Sequence, residues 1–398
     1  MRSDKSLSTA AYDSETVMKR RLFDNYYVGV NISDFVAVAL IVATSLTVRA
    51  ILHQLQRKVV AKPDLKTASK VSVLIPARNE GASIFTLLSS LATAFRGSDF
   101  SYEVIVANDG STDETAAVAM SFDFVQVIDV AAGIRSGING KSNALFAAFE
   151  HASGDILVFL DADVRVGDKF LSAIRTVAGD SGIDLLSVQP HHNAQTLGES
   201  FALTFNIVSL YSSLISNRSH RRPQLAFGPV FVTKRKCYLA AGGHAMILGE
   251  VVDDVALSRL YFESALKVVT LLDKRLATFR MYPFGFRQMV EGFTKNFVAG
   301  ATSLSPLGSL VGFGYIFAFL ALDISIVRDF IQLRIVRGLF LYAVTTCLIA
   351  FEARVVGRFK VCAIALHPLT FCIFVFVFVR ALLRRALSLP NTWKGRAI

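Results

Sequence analysis

The chain reads as an α/β protein, one domain on a mostly parallel sheet with N-terminal and C-terminal transmembrane helices. Three observations lead there. Between Val71 and about Leu272, strand-like and helix-like apolar blocks alternate with brief polar connections, as in a sheet covered on both faces. Outside that region Phe35–Val48, Leu307–Leu322, Gly338–Phe351 and Val361–Val379 are nearly free of charge, which marks membrane candidates. Finally, acidic residues stand directly after the apolar blocks, where open α/β sheets bind ligands.

The first strand is Val71–Ile75, and Ala82–Ala94 follows as a helix. Tyr102–Val106 is a strand, Asp113–Met120 a helix, Phe124–Ile128 a strand, Lys141–His151 a helix and Ile156–Leu160 a strand. Phe201–Ile215 is uncharged, with Phe201, Phe205, Val208, Tyr211 and Ile215 at helical spacing, and it runs into Arg218, His220, Arg221 and Arg222. A core helix is the favoured reading; an amphipathic helix lying on a bilayer is the alternative. Ala226–Val232 adds a strand, a helix begins at Asp253, and the polar stretch Lys62–Lys70 makes a linker.

Of the 398 residues 53% are hydrophobic and 18% charged, too apolar for disorder and enough for one core plus membrane segments. The expected organisation is a polar segment over 1–34, an anchor over 35–54, the α/β domain over 70–300, a membrane region of two to three spans over 303–380 and a basic tail over 381–398. The N-terminus does not read as a cleaved signal, so the first anchor is expected to stay. Only Val361–Val379 is long enough to span without borrowing flanking residues. The net charge of +11 gathers beside the apolar segments, at Lys19–Arg21, Arg49–Lys66 and Arg380–Arg396, which suits an anionic membrane face. No nucleic-acid module is visible, and no nucleic-acid partner is expected. Basic residues are denser after the first anchor than before it. The positive-inside rule therefore favours a multi-pass protein of the cell membrane with its domain on the cytoplasmic side. Three spans after the domain would put the basic tail outside, against that rule, unless Leu307–Leu322 or Gly338–Phe351 is interfacial or re-entrant, or the Ile324–Arg337 linker lies in the interface.

Cys237, Cys347, Cys362 and Cys372 show no C-x-x-C spacing and read as small hydrophobic side chains. His191 and His192 are adjacent, and His220 and His244 lack a partner at metal spacing, so surface or loop roles are expected.

Three acidic stations remain. Asp161-Ala162-Asp163 follows the apolar run Ile156–Leu160, and alternation puts both carboxylates on one side, ready for a hard cation such as Mn or Mg and a diphosphate. Such a triplet is also a common solvated turn. Pro76, Arg78 and Glu80 after the first strand, and Asp109 after the second, occupy places that touch base and ribose in nucleotide-binding sheets. Helix capping accounts for Ser111–Glu114 but not for Asp109. Lys141 at a helix start offers a seat for a diphosphate, with a solvated lysine as the plainer alternative. Asp253-Asp254 either caps a helix or supplies a general base, for which Asp254 is favoured with Asp253 as its neighbour.

Taken together, Val71–Glu80, Asn108–Thr112, Gly140-Lys141, Asp161–Asp163 and Asp253-Asp254 resemble the ordered landmarks of family 2 glycosyltransferases with a GT-A fold, over about residues 70–300. The resemblance implies a nucleotide-sugar donor, with Asp109 on the uridine, Asp161 and Asp163 on the metal-diphosphate, and Asp254 at the acceptor. Members often carry Glu-Asp at the last station, where this chain has Asp253-Asp254. The Gln-x-x-Arg-Trp element of polysaccharide synthases and ceramide glucosyltransferases is missing from Gln288–Phe293, which disfavours those alternatives. Met281–Pro283, Gly285-Phe286 and Glu291–Asn296 instead resemble the membrane-bound branch that includes carotenoid-acid glycosyltransferases. That points to Gln288, Glu291, Phe293 and Lys295 as acceptor-side, membrane-proximal residues, or to an amphipathic helix docking the domain on the bilayer. The expectation is an inverting, metal-dependent transfer of one sugar, UDP-glucose being the favoured donor, to a lipid acceptor. A non-catalytic nucleotide-sugar-binding subunit should have lost the metal or base carboxylates, and all are present.

Overall fold

The computed structural model describes residues 31–397 apart from 61–69, 131–138, 180, 220, 251, 388, 390–391 and 394–395. The Lys62–Lys70 linker thus lies outside the described residues except for Lys70, as does His220. The chain opens with a long helix α1 (Ile32–Val60), then β1 (Lys70–Ala77), α2 (Gly81–Phe95), β2 (Ser101–Asn108), α3 (Thr115–Met120), β3 (Val125–Asp129), α4 (Gly140–His151), β4 (Ile156–Leu160), β5 (Val164–Val166), α5 (Phe170–Ala178), β6 (Leu185–Gln189) and β7 (His191–Asn193). It continues through α6 (Leu197–Ser200), α7 (Leu203–Ser216), β8 (Val230–Lys234), α8 (Arg235–Ala240), α9 (Asp253–Glu263), β9 (Val268–Leu272) and β10 (Ala277–Phe279). Last come α10 (Phe286–Ser303), α11 (Pro306–Ile331), α12 (Ile335–Val356), β11 (Gly357–Arg358), α13 (Val361–Ala365) and α14 (His367–Ala386).

The main sheet has the order β3-β2-β1-β4-β8-β6-β9, parallel except where β8 pairs antiparallel with β4 and β6. Alternation along β4 sends Ile156, Val158 and Leu160 into the core beneath α2 and α5, and Leu157 and Phe159 into the core beneath α4, α8 and α9. Register then decides where the ligand edge falls. Ala77 lies opposite Asn108 and Leu160 opposite Val230, so the residues after β1, β2 and β4 and those before β8 emerge along one edge. Several boundaries differ from the sequence reading, two of them for a visible reason. Helix α3 starts at Thr115 because the Asp113 carboxylate accepts from Thr115 N and Gly81 N, so Asp113 is spent tying two loops together. The strand expected from Ala226 starts at Val230, since Phe227 and Gly228 are bonded to Ser187 and Asp254 instead of to a ladder. The histidines also differ, for His191, His192 and His244 are buried.

A second assembly of helices sits against the domain. Helices α1, α11 and α12 are long and apolar enough to cross a membrane, over spans of 28, 26 and 22 residues. At about 1.5 Å per residue each covers the ~30 Å hydrocarbon layer. These are the stretches that looked short in sequence. They lengthen because polar flanks pair within the bundle: at one end buried Arg337 bonds Asp34 and Asp329, and Ser325 Oγ donates to Asp34 at 2.7 Å. Toward the domain, Arg49 donates to Phe351 O at 2.7 Å and lies over the Phe351 ring, while Tyr211 donates to Glu352.

Val361–Val379, the stretch expected to span alone, does not form one helix. It breaks at Leu366, before Pro368, into α13 and α14. Helix α14 runs antiparallel to α11, with His367 beside Asp323, Phe371 on Phe319 and Phe378 near Phe313. Because β11 holds the end of α12 to β7 of the domain, the segment enters beside the domain and α14 returns toward it.

Helix α7 is the core helix the sequence favoured, buried at every position but Ser209. Its Ser212 and Ser216 face Gly312 and Gly308 of α11, a seam of small residues that lets two backbones approach closely. A Cβ at Gly308 would stand 1.9 Å from Ser216 Oγ and 2.7 Å from Ser212 O. Gly308→Leu is therefore expected to destabilise the protein by roughly 1–3 kcal/mol, the usual cost of overpacking. Thermal unfolding of the detergent-solubilised full chain checks this, and an unchanged midpoint would remove the seam from the account.

Candidate active site

The edge where β1, β2 and β4 end carries the predicted donor residues. Arg78 Nη1 donates to Asp109 O at 2.9 Å and lies 3.9 Å from Asp109 Oδ2. Asn79, at φ 51°, donates through its backbone to Ser111 Oγ and accepts from Thr112 N, and Glu80 N donates to Thr115 Oγ1. Pro76 lies inside β1, one residue before its end. The two loops are thus laced into one wall, with Asp109 buried beside Arg78.

Strand β4 stops at Leu160, and Asp161 N donates to Pro229 O at 3.0 Å. Ala162 is buried between the partly exposed Asp161 and Asp163, the alternation expected, though on a turn instead of a strand. Arg280 N donates to Asp163 O, and the Arg280 guanidinium is held 2.7 Å from the buried Glu199 carboxylate. That pair braces the turn and had no signal in the sequence.

The centre of the site is Lys141. Asn139 caps α4, accepting from Lys141 N at 3.0 Å, and so starts the helix where the lysine faces β4. Lys141 Nζ lies 2.8 Å from Asp161 Oδ1 and 3.4 Å from Asp253 Oδ2. The solvated-lysine alternative does not hold. Burial alone would lower its pKa, but Asp161 and Asp253 outweigh that and hold the ammonium charged well above its ordinary range.

Asp253 and Asp254 open α9, as expected, and the structure separates their environments. Burial pushes Asp253 up, but the Lys141 charge outweighs it and keeps this carboxylate below its ordinary value. For Asp254, burial and then the charge of Asp253 act in the same direction and push it up to about 6. Its Oδ2 accepts from Gly228 N at 3.1 Å and its Oδ1 from Val255 N at 2.8 Å. A Cβ at Gly228 would stand 3.1 Å from Asp254 Cβ and 3.2 Å from Lys141 Nζ. A side chain here would press on Asp254 and Lys141, which would have to give by a few tenths of an ångström, a closeness the sequence reading missed although Gly228-Pro229 precedes a strand. Buried His244, held by Tyr238 Oη at 2.9 Å and pushed down to about 4 by burial, lies near Asp253 as a neutral ring.

Of the membrane-proximal residues, α10 brings only Lys295 into the charge cluster. Burial lowers its pKa, opposed by Asp253, and Asp254 and Asp161 also act on it. Phe293 stacks on Phe205 of α7, centroids 4.1 Å apart, and edges against Tyr282. Gln288 and Glu291 do not reach the site in this arrangement: Gln288 accepts from Phe284 N, and Glu291 pairs with Arg287 one turn away. Among the described residues no three His, Cys, Asp or Glu side chains cluster as metal ligands. Asp161 and Asp163 stand two residues apart on one turn, and carboxylate oxygens are the donor type that Mn or Mg would take, with water and substrate phosphate as the other ligands.

Lys141→Met is expected to expose what the ammonium does. Asp253 sits below its ordinary 3.8, so the pairing stabilises the fold above that pH and is lost as pH falls through the folded value. At pH ~7 the variant should be less stable by roughly 1–3 kcal/mol, discounted from a fully buried pair because the site is partly open to water. Melting curves near neutrality and below pH ~4 should show the deficit narrowing in acid; an equal deficit at both would mean lost packing only.

A model of Glycosyl transferase family 2 matches residues 72–254. Over 374 residues the chain is 32% identical to a 4,4'-diaponeurosporenoate glycosyltransferase of Staphylococcus aureus strain USA300, covering 90% of this chain and 96% of that one. The protein of that name from strain N315 is 33% identical over 341 residues, 82% of this chain and 87% of that one. Among solved structures, a mannosyltransferase from Pyrobaculum calidifontis in complex with GDP-Man and Mn2+ aligns with a TM-score of 0.47 at 16% identity, over 88% of this chain and 99% of the other. Glucosyl-3-phosphoglycerate synthase from Mycobacterium tuberculosis aligns with a TM-score of 0.35 at 22% identity, over 61% and 83%.

Proposed function

The chain belongs to glycosyltransferase family 2, and from that premise we propose that it transfers a single sugar from a nucleoside-diphosphate donor, UDP-glucose foremost, to a lipid acceptor with inversion at the sugar carbon. The observation that supports this most is the Lys141 bridge, because it draws the donor-side Asp161 and the acceptor-side Asp253-Asp254 into one cluster.

Each side chain has a defined task in this reading. Asp109 and Arg78 form the wall for the nucleoside, with Pro76 and Glu80 shaping it. Asp161 and Asp163 would hold Mn or Mg, which when bound neutralises charge on the leaving diphosphate. Lys141, held beside Asp161, supplies a cation on the side where the diphosphate would lie. Asp254 then removes the proton of an acceptor hydroxyl as that oxygen attacks the sugar from the face opposite the diphosphate. Gly228 N and Val255 N fix its two oxygens, so the base is oriented before the acceptor arrives. Lys295 enters from the membrane-side helix and offsets the carboxylate charge around the acceptor. The helices α1, α11 and α12 supply the membrane, with the domain on the cytoplasmic face.

The direct test is incubation of membranes containing the full chain with radiolabelled UDP-glucose and Mn, followed by extraction and mass spectrometry. A singly glycosylated lipid is expected, with label lost on chelation and in Asp161→Ala; a polymer would instead indicate a synthase. The base has its own signature. A group with a folded pKa near 6 is protonated below it, so kcat/KM with an alcohol acceptor should fall about tenfold per pH unit below about 6 and level off above. Asp254→Asn should cost roughly 100- to 10,000-fold above that pH, a deficit that narrows below it as the wild-type base becomes protonated. A lipid carboxylate, already ionised, needs no base, so a profile flat to pH ~5 would assign Asp254 to acceptor placement instead.

A further inference from the structure

The arginines after α7 belong to no part of the transfer site, and their position in the molecule gives them a partner. The level at which they sit can be read from α11. Its outer face shows exposed Leu307, Leu310, Phe317, Ile324 and Ile331, so the apolar surface begins at its first turn. Directly before that turn, Ser305 is buried, caps the helix through Gly308 N, and donates from its own backbone N to Ser216 Oγ at the end of α7. The chain leaving Ser216 therefore emerges where the hydrocarbon layer ends. It carries Arg218, Arg221 and Arg222, all exposed and without an ion pair among the described residues.

Three cations in five residues at that depth are the complement of phosphate-bearing headgroups. The loop is not loose. Asn217 donates to Leu225 O at 2.8 Å and accepts from Leu225 N at 2.6 Å, which closes the loop at its base. Gln224 Nε2 donates to Ser219 O at 3.3 Å across it. The arginines are thus presented on a clasped turn. On its other side Gln224 O accepts from Ser258 of α9, and four residues later Gly228 N holds Asp254.

We propose that Arg218, Arg221 and Arg222 form a docking surface for the headgroups of anionic membrane lipids, which sets the height of Asp254 above the bilayer. The proposal needs α11 to cross the membrane but not the transfer reaction, so loss of transferase activity would not touch it.

Native mass spectrometry of the detergent-solubilised full chain, titrated with phosphatidylglycerol or phosphatidylcholine of matched acyl chains, tests it. The wild type should retain phosphatidylglycerol preferentially. The triple variant Arg218→Gln, Arg221→Gln, Arg222→Gln should lose affinity for it by roughly fivefold per arginine, with phosphatidylcholine binding unchanged. The corresponding triple lysine variant should keep most of the preference, which separates charge from folding. An unchanged preference in the glutamine variant, or none in the wild type, would overturn the proposal. So would displacement of the lipid by millimolar inorganic phosphate, which would make the loop a site for free anions.

Discussion

The ammonium of Lys141 is the interaction on which the rest of the site depends. Asp161 ends β4 and Asp253 begins α9, elements far apart in sequence, and without a cation between them their charges would repel in a partly dry cleft. Lys141 makes their proximity favourable and also sets the inequality between Asp253 and Asp254. One carboxylate faces the lysine and is held ionised; the other bonds two backbone N–H groups, yet burial and its neighbour keep it more basic. Two adjacent aspartates thereby acquire different chemistry through position alone. The α4 cap at Asn139 belongs to the same device, since it places the lysine at the helix end facing the sheet edge.

The second constraint is mechanical. The domain is tied to the membrane helices through β11 pairing with β7 and through the α7–α11 small-residue seam. Helix α10 lies between the two assemblies, with Phe293 stacked on α7 and Lys295 near enough for Asp253, Lys141 and Asp254 to act on its charge. The position of α10 relative to Asp254 is determined by these contacts.

Much of this was legible in the sequence because it follows from local pattern. Buried parallel strands are continuous apolar runs, and the residues after them must lie at one sheet edge, so Asp109, Asp161 and Lys141 were placed correctly in relation to the strands. What could not be read is what depends on partners far along the chain. The clearance at Gly228 is visible only when α9 and α4 are both in place, and the Arg280–Glu199 brace joins β10 to α6. Gln288 and Glu291 share a helix with Lys295, yet local bonds occupy them, and a motif cannot distinguish such neighbours. Hydropathy misjudged the spans for a related reason. It counts charges as exposed, whereas Arg337, Asp34, Asp329 and Glu352 are buried against partners inside the bundle.

The broken last segment removes a conflict that charge alone created. A continuous final span would carry Arg380, Arg384 and Arg385 to the side opposite the domain. With α14 antiparallel to α11 and its first residue beside Asp323, the segment instead turns back, and its basic end returns toward the domain. Arg57, Lys58, Arg218, Arg221, Arg222, Arg384 and Arg385 then all lie at the end of the helix bundle that carries the domain. At the opposite end Arg337 is cancelled by Asp34 and Asp329, which leaves Arg328 and Arg334 as the remaining cations there among the described residues. The more basic end of the helix bundle is therefore the end that carries the domain. A basic end beside the domain is the face of the molecule that suits an anionic lipid surface.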